Sequence, residues 1–484
     1  MIAREHTPTD RGPLWPCLVP AGVFALAAWG LIVSGNTRGR GAHDQVNFHL
    51  PAILRFAEEW PRLDYSDYLS ATTPGYHTLL AAFARFVSDS PRALQFVGSL
   101  FTVALLVALG LACRRAGRAA LLLVMPAAAS MYVFFSGVWL LPDNAGWLGV
   151  LAALLLALRG RVDAPTIIGG GVLLAGLVFV RQSHLWAAAA LWAGAWLGVR
   201  DAQDGEPFDA MGDARALLRD PALRVARTAL AVAATVPAAL VVLYFHRLWG
   251  GLTPPTFQER HTGGNAAAPA FILSLFGAFS LFYAGFLAPA AAEAVRKQRL
   301  LLALAIVGGL AAALLPETTY STEAGRYSGL WNLVQKAPVV MGGRTSTLIV
   351  LLAPLGACAV LAWFVALPRR ERWIMLVSVV AFTAAQMASY KLWQRYTEPL
   401  LLLLLPVLAC RLRRAAVGPR GVVAALWHLR LVGPASLALT LAFATAITVA
   451  AASPVRRIDP HTIKGVNGDT AEDGPDVSGV VEQR

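Results

Sequence analysis

Among the 484 residues, the stretch best equipped for chemistry reads His43, Asp44, Gln45, Val46, Asn47, Phe48, His49, Leu50, Pro51, and leads into an amphipathic run from Ala52 to Trp60. A carboxylate ahead of a helix that can lie on a bilayer surface is placed to meet a substrate at the interface, and one carboxylate suffices to take a proton from a hydroxyl. The plain alternative is that Asp44 caps the helix that follows. A second concentration runs from Asp67 through Tyr68, Ser70, Thr72, Thr73, Pro74 and Gly75 to His77, where Pro-Gly forces a turn. Arg181, Arg326 and Arg395 stand at the ends of apolar runs or between them. Guanidinium forks match phosphate oxygens, so the three together would suit a phosphate. Arg181 has a structural alternative, a pairing with a carbonyl or with Asp143. His49 and His261 are candidates for binding sugar hydroxyls or phosphate, against the commoner structural role of a lone histidine.

The elements that must position these residues are set by composition. The chain is 57% hydrophobic and 14% charged, the wrong balance for soluble domains. Apolar stretches of about 16 to 24 residues recur, each roughly long enough to cross the ~30 Å hydrocarbon layer as a helix. They are continuous rather than alternating, which excludes a membrane barrel. Spans are expected at about 15–34, 91–112, 119–138, 144–158, 165–181, 183–199, 227–249, 269–291, 300–315, 346–367, 373–390, 397–412 and 430–452, roughly thirteen in an all-α polytopic protein. The first run lacks a small-x-small cleavage site and reads as a retained anchor. Cys17, Cys113, Cys358 and Cys410 lie in or beside apolar segments and read as small core residues. Trp139, Trp249, Tyr320 and Trp393, at the mouths of spans, read as an interface belt.

The net charge of +13 reflects basic clusters in alternate loops rather than a nucleic-acid surface. These are Arg114, Arg115 and Arg118; Arg159 and Arg161; Arg200 through Arg227; Arg296, Lys297 and Arg299; Arg369, Arg370 and Arg372; and Arg411, Arg413, Arg414 and Arg420. The positive-inside rule makes those loops cytoplasmic. The expected organisation is a cytoplasmic N-terminus over 1–14 and a membrane unit over 15–452 with outer loops at 34–91, 250–269 and 316–345. A disordered polar tail is expected over 453–484. Long polar outer loops against short basic inner ones put the chemistry on the non-cytoplasmic side. No internal repeat stands out, which weighs against inverted-repeat transporters.

Phosphate loops, zinc-spaced Cys or His pairs, a serine elbow and Asp-x-Asp pairs are all lacking, so no metal or other cofactor is expected. From Asp67 to Gly75 the sequence resembles the dolichyl-phosphate-glucose alpha-1,2-glucosyltransferases, membrane enzymes of the GT-C class. That family carries Asp-Glu-x-Phe-His-x-Pro early in its first outer loop, then Asp-Pro-x-Ile-Thr-Thr-x-Pro-Gly; Thr72, Pro74 and Gly75 fall in register with the second pattern. Further along, Arg181, Gln182, Ser183, His184 and Trp186 resemble an Arg-Gln-Thr-Asn run before a Trp, and Gly250 to His261 resembles a Gly-rich outer loop. Gly325, Arg326, Tyr327, Ser328 and Trp331 resemble Asn-Arg-His-Tyr-x-Phe-Tyr-x-Trp, and Gln394, Arg395, Tyr396, Glu398 and Pro399 resemble Glu-x-Arg-Tyr-x-x-x-Pro. The order of the five matches carries the resemblance. Two departures stand at its head: Asp44 lies four residues before Phe48 where the family has three, and Gln45 replaces the family's Glu.

The resemblance implies a GT-C type fold and an inverting, metal-independent transfer of a hexose, glucose in alpha-1,2 linkage, from a polyprenyl-phosphate sugar to a glycan or lipid-linked acceptor. Asp44 would be the base, with His49, Asp67, Thr72, Pro74, Gly75, Arg181, Gln182, His261, Arg326, Tyr327, Arg395 and Tyr396 binding substrate. The residues alone say sugar transfer from a lipid phosphate. A composition rich in Ala, Arg and Gly looks bacterial, which implies the plasma membrane; a eukaryotic source would imply the endoplasmic reticulum. The competing readings are a transporter or lipid flippase, and another GT-C enzyme of the O-mannosyltransferase or aminoarabinose-transferase type.

Overall fold

The computed structural model describes residues 12–159, 162–198, 208–261, 263–412, 429–455 and 457. Among these the chain is helical almost throughout, and its one sheet is an antiparallel pairing of Val339–Val340 with Thr345–Ser346. Five helices are long and apolar enough to cross a membrane: Trp15–Val33, Pro91–Ala112, Pro221–Trp249, Thr347–Ala366 and Val432–Ala450. Two bent pairs, Ala119–Ala129 with Met131–Val138 (67°) and Ala268–Leu281 with Ala284–Lys297 (110°), raise the number to seven if each is one span. The other expected spans coincide with helices that are shorter or more polar. Asp143–Ala157, Ala164–Val180 and Arg299–Leu314 are short, Arg369–Met387 opens on Arg369, Arg370, Glu371 and Arg372, and Gln394–Arg411 opens on Gln394, Arg395 and Glu398. The 183–199 run starts as the 3-10 turn Gln182–Trp186 before the helix Ala187–Trp196.

Large apolar side chains point outward along these helices, among them Leu26, Leu240, Leu304, Leu351, Leu439 and Phe443. In water such a surface would drive aggregation, whereas lipid tolerates it so long as backbone polar groups are satisfied within the helices. This is an all-α membrane protein. Its helices close on one another through small residues. A Cβ built on Gly356 would lie 1.8 Å from the Leu273 carbonyl oxygen, and one on Gly110 would lie 2.2 Å from that of Cys17. At the break the Ser130 backbone is extended, and its hydroxyl donates to the buried Glu398 carboxyl, from far along the chain, at 2.5 Å.

Polar groups separate to the two ends of the bundle. At one end the basic clusters close helix C-termini, since guanidiniums satisfy carbonyls that a helix end leaves free. Arg370 does so with Leu197 O (2.8 Å) and Ala157 O (2.6 Å); Arg114 donates to Gly12 O ahead of the first helix (2.7 Å), and Arg369 and Arg372 share Asp213 (2.7 and 3.1 Å). Arg161, the segment 199–207, Arg413, Arg414, Arg420 and the tail from 458 lie outside the described residues.

At the opposite end the segments expected to face outward are folded rather than loose. The 34–91 loop holds helices Arg40–Asp44, Leu50–Glu59 and Gly75–Phe86. Asn265 ties two further segments by donating to Ala324 O (2.8 Å) and Tyr390 O (3.0 Å). Trp139 and Trp249 are buried here instead of forming a belt: Trp139 packs over Gly41, and Trp249 donates its indole N–H to Tyr65 O at 2.8 Å.

The glycine contacts give a paired expectation. Gly356→Ala should lower stability by about 1 to 3 kcal/mol, the usual cost of overpacking. Gly308→Ala, where a Cβ meets nothing within 4 Å, should be neutral or stabilise by up to about 1 kcal/mol. Thermal unfolding in detergent reads both, and equal midpoints for the two variants would contradict the close crossing.

Candidate functional site

The chain turns into helix at Arg40 directly after Gly39, whose φ of 86° suits glycine. At Asp44 the backbone is therefore already helical, and the carboxylate makes no capping bond, so the capping alternative fails. Gln45–His49 forms a π-helical turn, which takes one residue more than an α-helical turn. Pro51 has no N–H to return to the preceding turn, which loosens the ladder where the extra residue enters. Residues five apart diverge on an α-helix, but this widening brings Asp44 and His49 toward one face. The additional residue between Asp44 and Phe48 is absorbed in that turn. Gln45 itself is buried and accepts from the Leu140 N–H at 3.2 Å, a place where a charged Glu would be costly.

Two arginines and two carboxylates meet at this end of the bundle. Arg395 donates through Nη1 to Asp44 Oδ2 at 3.2 Å and through Nη2 to Asp143 Oδ2 at 2.8 Å, and Arg181 Nη1 pairs with the other oxygen of Asp143. Asp143 is 3% exposed and opens the helix Asp143–Ala157, where the N-terminal dipole favours a carboxylate. Asp44 keeps 23% exposure and contacts His43 Nδ1 at 3.6 Å. Burial pushes the Asp44 carboxyl up, but the His43 contact and the Arg395 guanidinium outweigh it and hold the group at about 2. Arg395 Nε is buried without a partner among the described residues.

An aromatic stack borders the charges. Trp393 lies over Tyr396 (5.6 Å, 18°) and meets Tyr327 edge-on at 5.1 Å. Arg40 and Lys391 sit 5.3 and 4.7 Å from the Trp393 ring, and Arg181 sits 4.9 Å from that of Tyr396. Cations over aromatic faces are held without being neutralised. Trp393 is thus part of the site wall, not a belt residue.

Several expected binding residues turn out to build the site. Gln182 accepts from the Thr73 N–H (2.9 Å) and donates to Ala71 O and Leu252 O (both 2.9 Å), joining three outer segments. Thr73 also donates to Val178 O at 2.6 Å, and a Cβ on Gly75 would lie 2.6 Å from the Phe179 carbonyl oxygen, so Pro74-Gly75 is a close joint. Thr72 contacts Ser70 at 3.1 Å, and the Asp67 carbonyl receives Arg55 at 2.5 Å. Arg326 is engaged away from the cluster, by Glu317 (2.9 Å) and Thr319 O (2.7 Å). The side chain of His261 lies outside the described residues, though its helix Pro255–His261 brings Phe257 to 5.9 Å from Phe48.

The sequence offers Asp143 only as an alternative partner for Arg181, yet it anchors both Arg181 and Arg395; its place at the head of an apolar run is the signal that marks it. His77 and Tyr68 stand in the 67–77 stretch, where the sequence assigned them no role. They form a buried chain with His49: Tyr68 Oη to His77 Nδ1 at 2.5 Å, and His77 Nε2 to His49 Nδ1 at 2.8 Å. Compared with protein-family models, curated proteins and solved structures, the chain finds no match.

The histidine pair makes the site acid-sensitive. Burial lowers both imidazoles, His49 to about 4 and His77 well below its ordinary 6.5. Below about 6.5 the unfolded chain takes up protons that the folded pair refuses, so stability is full above that pH and falls on acidification toward 4. The unfolding midpoint should therefore drop between pH 6.5 and 4, with a shallower drop for His77→Gln. Equal slopes for the variant and the wild type would contradict a neutral buried pair.

Proposed function

We propose that the protein is an integral-membrane glycosyltransferase that moves a hexose from a polyprenyl-phosphate donor to a glycan or lipid-linked acceptor at the non-cytoplasmic face. The observation that carries this reading is the meeting of Arg181 and Arg395 with Asp44 and Asp143 at one mouth of an all-α membrane bundle. Two observations support it. The five segments that resemble the glucosyltransferase family lie far apart in sequence but join here: Thr73 to Gln182, Gln182 to Leu252, Leu330 to Gln394 (2.7 Å), and Arg395 to Arg181 through Asp143. The arginine-rich end lies opposite, which by the positive-inside rule faces the cytoplasm. In this reading the thirteen helical runs are spans, the shorter ones tilted or locally broken, in a GT-C type arrangement. Glucose and the alpha-1,2 linkage rest on the resemblance, as does a plasma-membrane location in a bacterium.

The chemistry follows from charge. Without substrate the arginines are neutralised by carboxylates, and Asp44 is too weak a base to take a hydroxyl proton readily. A lipid phosphate entering beside Arg181 and Arg395 competes for the Arg395 Nη1, since guanidinium pairs well with phosphate oxygens. Released from that contact, Asp44 gains basicity. It accepts the acceptor's hydroxyl proton as the oxygen bonds to the anomeric carbon. The bond from that carbon to the phosphate oxygen breaks, its electrons leave on the lipid phosphate, and the configuration inverts. The arginines hold the charge that develops on the phosphate.

Incubation of purified protein with a panel of polyprenyl-phosphate sugars, read as free polyprenyl phosphate, tests this. One donor should be consumed in the presence of acceptor. Asp44→Asn should cut turnover about 100- to 10,000-fold with donor binding retained, the usual loss for a general base. Arg395→Ala should weaken donor binding as well. No release from any donor, together with passage of labelled lipid across proteoliposomes, would show a flippase instead.

A further inference from the structure

The chain Tyr68–His77–His49 has a direction that can be worked out from bond counting. His77 is fully buried and both its ring nitrogens are engaged, at 2.5 Å by Tyr68 Oη and at 2.8 Å by His49 Nδ1. A neutral imidazole carries one N–H, so His77 must donate at one nitrogen and accept at the other. Tyr68 is fully buried, and His77 Nδ1 is the one hydrogen-bond partner of its oxygen among the described residues. A buried phenol proton turned anywhere else would be left unsatisfied, so Tyr68 gives it to His77 Nδ1. His77 then carries its proton on Nε2 and donates to His49 Nδ1, which leaves the His49 proton on Nε2.

Electrostatics favour the same order. Asp44 is the charged group that acts most strongly on His49, followed by Arg395, Asp143 and Arg181. An N–H is favoured over a lone pair beside a carboxylate. His49 Nε2 has no hydrogen-bond partner among the described residues and is not sealed in, while the residue keeps 7% exposure. The far end of the chain is packed: the Tyr68 ring stacks with Phe56 (5.7 Å, 13°) and with Trp249 (6.2 Å, 13°).

We infer that Tyr68 and His77 are positioning residues that fix His49 as a neutral imidazole whose Nε2–H is presented beside Asp44, to donate to an oxygen of the bound sugar phosphate. The assignment of the oxygen rests on the glycosyltransferase reading; the direction of the chain does not. It gives the site a donor that carries no charge, next to a base that must stay unprotonated. A cationic histidine there would compete with Arg395 for Asp44.

Nitrogen-15 NMR of histidine-labelled protein in nanodiscs at pH 7.5, assigned with His49→Gln and His77→Gln, tests the direction without any assay of activity. Both imidazoles should carry their proton on Nε2, and Tyr68→Phe, which keeps the stacked ring, should mix the tautomers of both. Tyr68→Phe should also lower kcat about 3- to 10-fold, the worth of one hydrogen bond, with a smaller effect on KM. A His49 proton on Nδ1, a doubly protonated His49, or tautomers unchanged in Tyr68→Phe would overturn the inference. Should the tautomers hold while wild-type protein releases no lipid phosphate, the chain stands and the glycosyltransferase reading fails.

Discussion

Arg395 holds the structure's functional end together. Its guanidinium bridges Asp44 and Asp143, residues 351 and 252 positions away in the chain. Removing a guanidinium from water costs several kcal/mol of solvation, and that cost is offset only where carboxylates meet it with good geometry. Asp143 carries the heavier share, since it neutralises Arg181 as well and is almost fully buried. The fold must therefore deliver the first outer segment, the head of the Asp143–Ala157 helix, the turn after Val180 and the head of the Gln394–Arg411 helix to one point.

The surrounding packing serves that delivery. Glycines let the helices approach to backbone contact, most tightly at Gly356 against Leu273. Above the helices, the outer segments are joined by side-chain amides, with Gln182 and Asn265 each satisfying backbone groups of two distant segments. A buried amide that satisfies several carbonyls specifies a position more sharply than apolar contact does, because displacement leaves polar groups unpaired. At the opposite end the same accounting is met by Arg370 on the carbonyls that end two helices, Leu197 and Ala157. The bundle is thus braced at both faces, and its apolar flanks are left to lipid.

Much of this was legible in the sequence. Each expected apolar run holds helix among the described residues, because hydrophobicity sustained over a bilayer's width leaves few other solutions. Bends and shortened helices were not legible: Ser130 looks like any serine in an apolar run, and its role depends on Glu398 arriving from far along the chain. In the site, Asp44, Arg181 and Arg395 were identified by type and place. Gln182 and Pro74-Gly75 were read as binding residues and are joints, since a motif shows which residues matter without showing what they touch. The π turn at Gln45–His49 was hidden too, because its signal is an extra residue whose accommodation only the backbone reveals.

In the proposed reaction the ligand-free site is a closed set of charges that substrate must open. Asp44 is restrained by Arg395, and a phosphate that takes over the guanidinium would restore its basicity at the moment an acceptor is to be activated. The direct measurement is an experimental structure of the protein in nanodiscs with a bound polyprenyl-phosphate sugar. The phosphate should lie between Arg181 and Arg395, with Arg395 parted from Asp44 and the Asp44 carboxylate turned toward the sugar. Arg395 still bridging Asp44 and Asp143 while the lipid phosphate sits elsewhere would contradict the account.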